Sequence, residues 1–239
     1  MINMIIAAIG NEAPSGGQLS GYNQLIYDGN SMTFGTEMAD PDTESYPANI
    51  FNAENSFFVS SGSSANSRKF DGDQFGWNFG VPSQTTEDML SDYNSQIAPK
   101  YDNVTYNRNI LILWGGTNDL YFNQDPTGAY DRIVSYGQGG QATGYYMVVL
   151  DIIDRKQTIW EPGYSAAQFQ IDRDIVNGNI ATNWQTFADK YIAISQDSNL
   201  GANGAANNAT YFTGGKVHLT TFGNEYLADI VHQRLLQIP

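Results

Sequence analysis

The stretch that decides the fold is Asn109-Ile110-Leu111-Ile112-Leu113-Trp114, which runs directly into Gly115-Gly116-Thr117-Asn118-Asp119. Its first part is short and almost continuously apolar, which is typical of a strand buried on both faces of a sheet. The two glycines end this strand, and polar residues follow at once. A second stretch of the same kind, Tyr146 to Leu150, predicts another fully buried strand.

Predicted helices alternate with further strands along the rest of the chain. The apolar residues Met89, Tyr93 and Ile97 recur every four positions, which is the spacing of one helix face. The predicted strands cover residues 25–27, 75–79, 109–114, 146–150 and 191–194, and the predicted helices cover 85–97, 130–136, 166–190 with a break near Gly178, and 221–236. Such alternation favours a mostly parallel sheet covered on both faces. We therefore expect a single three-layer α/β/α domain over residues 22–239, preceded by an N-terminal arm, residues 1–21.

Charge and composition disfavour several classes of function. The 239 residues include 25 acidic and 11 basic side chains, and the net charge of −14 argues against binding to nucleic acid or to anionic membranes. With no cysteine and only two histidines, we expect no disulfide, no thiolate nucleophile and no metal centre. The longest apolar run, Met4 to Ile9, is too short to span a bilayer. A small neutral substrate is the expected partner, and a surface rich in uncharged polar groups favours an extracellular or virion-associated location.

Four chemically useful residues follow separate predicted strands. Ser31 lies on a tight turn and can project its hydroxyl into a cleft, while the N–H of Gly80 and the amide of Asn118 can donate to an oxyanion. His218, just before the last helix, can act as a general base. Because sites in parallel sheets form beyond the carboxyl ends of the strands, these residues can meet at one edge. We interpret His232, inside the last helix, as structural.

The order of these four blocks resembles the SGNH hydrolase superfamily, also called the GDSL esterase/lipase family. The blocks read Gly29-Asn30-Ser31-Met32-Thr33, Phe79-Gly80-Val81, Gly116-Thr117-Asn118-Asp119 and Gly215-Lys216-Val217-His218. The resemblance implies a flavodoxin-like fold and a serine esterase that needs no cofactor. It also implies that Ser31 is the nucleophile and His218 the base. The backbone N–H groups of Ser31 and Gly80 and the amide of Asn118 would then form the oxyanion hole.

Two positions depart from the family pattern. Asn30 stands where the first block usually has Asp, and Gly215 stands where the last block places the Asp that orients the histidine. Three explanations stay open for the second change. In the first, a backbone carbonyl holds His218 and the enzyme works as a Ser–His dyad. In the second, the acid is replaced by Asp151 or Asp154, which follow the fourth predicted strand. In the third, the enzyme is weak or inactive. We favour a working enzyme because the Ser, Gly, Asn and His residues all remain.

The resemblance therefore implies a serine esterase that hydrolyses short-chain carboxylic esters, with O-acetyl groups on carbohydrate as one candidate substrate. The expected partner is a small ester or an acetylated carbohydrate, bound without metal or cofactor. The alternative is a glycan-binding or virion-surface module on a catalytically weakened SGNH scaffold. Gly215 and the atypical N-terminal arm motivate that alternative.

Overall fold

A seven-stranded sheet with the strand order β2-β3-β4-β1-β5-β6-β7 organises the protein. The computed structural model describes residues 17–62, 67–157 and 159–239. The strands are β1 Gln24–Gly29, β2 Ser56–Ser61, β3 Arg68–Gly72, β4 Phe75–Asn78, β5 Asn109–Trp114, β6 Tyr146–Leu150 and β7 Lys190–Ile192. Strands β4, β1, β5, β6 and β7 pair in parallel, whereas β2 and β3 are antiparallel additions at one edge. The parallel part thus has the flavodoxin-like order 2-1-3-4-5.

Helices cover both faces of this sheet, which confirms the predicted three-layer α/β/α architecture. They are α1 Ser31–Phe34, α2 Pro41–Glu44, α3 Tyr46–Ala53, α4 Thr86–Asp92, α5 Pro126–Thr143, α6 Ala166–Asn183 and α7 Thr221–Leu235. One apolar cluster joins the sheet to α3 and α7, and a second joins it to α4, α5 and α6. Successive residues of β5 alternate between the clusters: Ile110 and Ile112 belong to the first, and Leu111 and Leu113 to the second. The continuous apolar run of β5 is thereby explained.

Several elements differ from the sequence prediction in extent. The helix predicted over 166–190 ends at Asn183 and continues through Gly178 without a break. No other atom would lie within 4 Å of a Cβ at Gly178, so this glycine faces open space. A glycine at an exposed helix position costs only about 1 kcal/mol relative to alanine, which the packed helix tolerates. Helix α5 is longer than residues 130–136 because Asp125 caps its N-terminus and accepts a hydrogen bond from Gly128.

The sequence did not predict the antiparallel strands β2 and β3, of which β2 forms the edge of the sheet. Most residues of β2 are exposed on the edge of the sheet, and its pairing with β3 shifts register between Phe58 and Ser60. The period-two alternation that identifies a strand is therefore weak in this segment.

Only the end of the predicted N-terminal arm, residues 17–21, falls within the described part of the chain; residues 1–16 lie outside it. Leu19 is buried in the core, and its N–H donates to the carboxylate of Glu54 at 3.0 Å. The boundary between residues 21 and 22 remains a prediction. Among the helices of the described residues, none is long and apolar enough to cross a membrane.

Candidate active site

Ser31 is the first residue of the short helix α1 and follows a tight turn at the end of β1. A Cβ at Gly29 would lie 2.1 Å from the Thr33 hydroxyl oxygen and 2.7 Å from the Trp114 carbonyl oxygen, so the turn requires glycine. Asn30 caps the helix because its side chain accepts a hydrogen bond from the N–H of Met32. Asn and Asp both serve well as N-caps, so the departure at residue 30 preserves this local structure.

His218 lies on a tight loop that brings its ring to Ser31. The loop is closed by a bridge between Phe212 and Leu219 and by a hydrogen bond from the Thr213 N–H to the His218 carbonyl. His218 Nε2 is 3.0 Å from the hydroxyl oxygen of Ser31, within reach for proton transfer. The structure therefore brings together the predicted nucleophile and the predicted base, although 187 positions separate them in the chain.

The second ring nitrogen of His218 faces a carboxylate that the sequence analysis did not identify. His218 Nδ1 lies 2.9 Å from Oε1 of Glu37, a residue in the loop that follows α1. Glu37 has a φ of 71°, in the left-handed region that side chains other than Asn and Asp seldom occupy. Partial burial raises the pKa of the Glu37 carboxyl, but the neighbouring Thr213 hydroxyl and the His218 ring outweigh this effect and lower it below its ordinary value.

Glu37 occupies the place beside Gly215 that the family pattern assigns to an aspartate. A Cβ built at Gly215 would lie 3.6 Å from Oε1 of Glu37. The carboxylate therefore comes from the loop after α1, the helix that begins with Ser31, and not from the loop that carries His218. The idea that a backbone carbonyl holds Nδ1 is therefore corrected to a carboxylate contact. No spacing signal pointed to Glu37, because it lies neither after a strand nor in the histidine block.

The expectation that Asp151 or Asp154 replaces the acid is also corrected, since both carboxylates are committed elsewhere. Asp151 accepts hydrogen bonds from the backbone N–H of Ser195 at 2.7 Å and from the hydroxyls of Ser195 and Tyr191 at 2.5 Å. The carboxylate of Asp154 binds the amide of Gln170 and two backbone N–H groups, and pairs with Arg173 at 3.6 Å. Both carboxylates anchor the loops around β6 and β7.

Asn118 and Gly80 follow the two strands that flank β1, so both are carried to the edge where Ser31 lies. The Asn118 amide donates to the carbonyl of Gln84 at 3.0 Å, which leaves its second hydrogen for another acceptor. The Gly80 N–H donates to the side-chain oxygen of Asn78 at 2.9 Å. A Cβ at Gly80 would lie 2.3 Å from the backbone nitrogen of Phe34, so close packing against α1 also requires this glycine.

Two further buried groups support these positions. Asp119 fixes the loop after β5, because its carboxylate accepts from the backbone N–H and the hydroxyl of Thr86 at the start of α4. Asp28, three residues before the serine, is buried and accepts a 2.5 Å hydrogen bond from Tyr136. Burial raises the pKa of Asp28 to about 7 against the opposing effect of the Tyr136 hydrogen bond. His232 contacts Glu54 rather than any residue of this site.

The site brings together a hydroxyl from Ser31, an imidazole from His218 and a carboxylate from Glu37. Across residues 17–62, 67–157 and 159–239, no group of three or more His, Cys, Asp or Glu side chains could hold a metal ion. The contact from Ser31 through His218 to Glu37 is the arrangement in which an imidazole takes a hydroxyl proton while a carboxylate fixes the ring.

Comparisons with known proteins identify the fold. No protein-family model matches the chain, and none of the curated proteins does. Among solved structures, a GDSL-like lipase from Bacteroides thetaiotaomicron is 15% identical, with a TM-score of 0.60 over 89% of this chain and 87% of that one. A lipase/acylhydrolase from Enterococcus faecalis is 12% identical, with a TM-score of 0.56 over 90% and 95% of the two chains. A catalytic mutant of an acetylxylan esterase from Geobacillus stearothermophilus is 10% identical, with a TM-score of 0.57 over 93% and 96%.

The class that the architecture defines is a three-layer α/β/α protein with a flavodoxin-like parallel sheet. More narrowly, the protein has the fold of the SGNH, or GDSL, hydrolases, as the resemblance of its four sequence blocks predicted.

Proposed function

We propose that the protein is a serine esterase that hydrolyses short-chain carboxylic esters. The observation that carries the proposal is the continuous contact from the Ser31 hydroxyl through both ring nitrogens of His218 to the carboxylate of Glu37. A carboxylate that accepts from Nδ1–H leaves the lone pair of Nε2 directed at the serine hydroxyl. An imidazole in this tautomer can act as the general base.

The reaction follows from this geometry. The Ser31 oxygen attacks the ester carbonyl while its proton passes to Nε2 of His218, and the imidazolium that forms is stabilised by Glu37. The tetrahedral intermediate collapses when His218 returns the proton to the leaving alcohol. Water, deprotonated by the same ring, then cleaves the acyl-enzyme and regenerates the Ser31 hydroxyl.

In this mechanism the oxyanion is held at the start of α1 and by the loop after β5. Ser31 is the first helical residue, so its N–H has no acceptor within the helix and can donate to the oxyanion. The second amide hydrogen of Asn118 supplies another donor. The Gly80 N–H donates to the Asn78 side chain, so this hydrogen bond would have to open or be shared before Gly80 could serve as a third donor.

The substrate class we favour is a small neutral ester, with O-acetylated carbohydrate as the specific case. The net charge of −14 disfavours an anionic substrate and is compatible with a neutral one. Acetylxylan esterases are among the solved proteins that share the fold.

The alternative of a glycan-binding module on a weakened scaffold was motivated largely by the missing aspartate at residue 215. Glu37 supplies a carboxylate at that place, which favours the enzyme over the binding module.

A panel of nitrophenyl acyl esters and acetylated sugars, assayed with the wild-type protein and Ser31→Ala, tests the proposal. We expect hydrolysis of acetyl and other short esters by the wild type and a loss of activity in the variant. A serine-directed phosphonate should label Ser31 alone. Saturable binding of sugars without turnover, or full activity in Ser31→Ala, would contradict the esterase assignment.

A further inference from the structure

Arg155 is a buried arginine that pairs with no acidic side chain in the described part of the chain. Its side chain is 7% exposed, and no carboxylate of the described residues lies within ion-pair distance of its guanidinium. The other two buried arginines differ, because Arg68 pairs with Asp42 and Arg173 with Asp154. Burying a cation without a counter-charge is costly, so the protein keeps this charge against a substantial free-energy penalty.

The donors of Arg155 point at neutral groups, one of which belongs to the proposed oxyanion hole. Its Nη1 donates to the side-chain oxygen of Asn118 at 3.2 Å. Its Nε and Nη2 both donate to the side-chain oxygen of Gln157, at 3.0 and 2.7 Å. The guanidinium also lies over the ring of Tyr121, 4.5 Å from its centre. Gln157 and Tyr121 therefore fix the plane of the guanidinium while one arm reaches Asn118.

The charge persists under working conditions. Burial lowers the pKa of Arg155 to about 10, against the opposing effect of nearby tyrosines, so the guanidinium stays protonated near neutral pH. A protonated donor on the oxygen of an amide draws electron density from its nitrogen and makes the N–H groups stronger donors. The same hydrogen bond also fixes which end of the Asn118 amide faces the substrate.

We propose that Arg155 is a positioning residue for ester hydrolysis: it orients and polarises the Asn118 amide so that the free N–H of that amide stabilises the oxyanion. This inference rests on the proposed function. Arg155 acts through Asn118 and not by contact with the substrate. Its contribution therefore belongs to kcat and depends on the presence of the asparagine side chain.

A double-mutant cycle on p-nitrophenyl acetate hydrolysis tests the proposal. Arg155→Gln should lower kcat by about 10- to 100-fold with little change in KM. Asn118→Ala should lower kcat by about 10² to 10³. In the Asn118→Ala background, adding Arg155→Gln should change kcat by less than about twofold, because the group through which Arg155 acts is gone.

Arg155→Lys keeps a positive charge near the side-chain oxygen of Asn118. This variant should therefore have a kcat above that of Arg155→Gln. If Arg155→Gln does not fold, as judged by its near-ultraviolet dichroism and thermal midpoint, the same cycle is run with Arg155→Lys. Equal losses of kcat in the presence and absence of Asn118, or a loss confined to KM, would overturn the proposal. Failure of the esterase proposal gives a different result from failure of the Arg155 proposal. If the protein is not a serine esterase, Ser31→Ala and the wild type will show the same turnover.

Discussion

Two histidine–glutamate pairs join the same side-chain types in opposite surroundings. In the loop before α7, His218 contacts Glu37 at 2.9 Å, and the glutamate side chain is 44% exposed. Within α7, His232 contacts Glu54 at 2.5 Å, and Glu54 is fully buried. Glu54 also accepts hydrogen bonds from the N–H of Leu19 and the amide of Gln74, so it ties the segment at Leu19 to the core.

The difference teaches that a histidine–carboxylate contact does not define a site by itself. The second ring nitrogen of His218 faces the Ser31 hydroxyl, and the carboxylate that holds the ring sits on left-handed backbone. Such backbone costs about 1 kcal/mol or more and is concentrated at functional sites. His232 has the closer contact and the greater burial, yet the interactions of its glutamate are with the core. We therefore assign chemistry to the first pair and stability to the second.

The largest expected effect comes from replacing each histidine in turn. His218→Asn should lower kcat by about 10⁴-fold or more, because the general base is lost, while the thermal midpoint stays close to that of the wild type. His232→Asn should leave kcat nearly unchanged and lower the free energy of unfolding by about 3 kcal/mol, because buried Glu54 loses its partner. The kcat and the urea unfolding of both variants check this contrast. A large loss of kcat in His232→Asn would contradict the assignment of a purely stabilising role to His232.

Moving the acid to the position used by the family sharpens the comparison. A carboxylate at residue 215 would lie beside that of Glu37, so Gly215→Asp alone should give no gain in rate. Combined with Glu37→Gln, the same Gly215→Asp change should recover at least about 10-fold of the kcat lost, since a Cβ at residue 215 lies 3.6 Å from the Glu37 oxygen that contacts His218 Nδ1. Equal kcat values for Glu37→Gln and the double variant would show that position 215 cannot replace Glu37.

Asp28, a buried acid outside both pairs, gives a separate test of stability. The folded-state pKa of Asp28 is about 7, above its ordinary value near 4, so the stability it contributes is fully present below about pH 4 and is lost as the pH rises through 7. Asp28→Asn cannot ionise and should gain up to about 4 kcal/mol relative to the wild type between pH 4 and pH 8. Urea unfolding at both pH values measures this gain, and a difference between the two proteins that does not change with pH would contradict it.

Much of the fold could be predicted because strands β5 and β6 are almost continuously apolar and because β1 ends at, and β5 is followed by, glycine. The run Asn109–Trp114 is buried on both faces, and strands β1, β4 and β6 lie within one or two residues of their predicted bounds. The antiparallel strands β2 and β3 could not be found in the same way. Strand β2 lies exposed at the sheet edge, which imposes little hydrophobic pattern, and β3, between β2 and β4, carries the charged residues Arg68, Lys69 and Asp71.

The site was predictable where it depends on strand ends, and not where it depends on loops that meet in space. Ser31 and His218 were identified from their positions in the sequence blocks, and the structure brings them into contact. Glu37 and Arg155 were missed because their roles arise from contacts with residues 181 and 37 positions away. Asp151 and Asp154 follow a strand as expected, but the loops they anchor take up their hydrogen-bonding capacity.

The central claim is that Glu37 is the acid that orients His218, and the kcat of Glu37→Gln tests it most directly, with Glu54→Gln as the matched control. The account predicts that Glu37→Gln lowers kcat by about 10³- to 10⁴-fold and moves the acidic limb of the kcat/KM profile to lower pH, with an unchanged thermal midpoint. Glu54→Gln should lower the thermal midpoint and leave kcat within about threefold of the wild type. A Glu37→Gln variant with wild-type kcat and an unshifted pH profile would contradict the account.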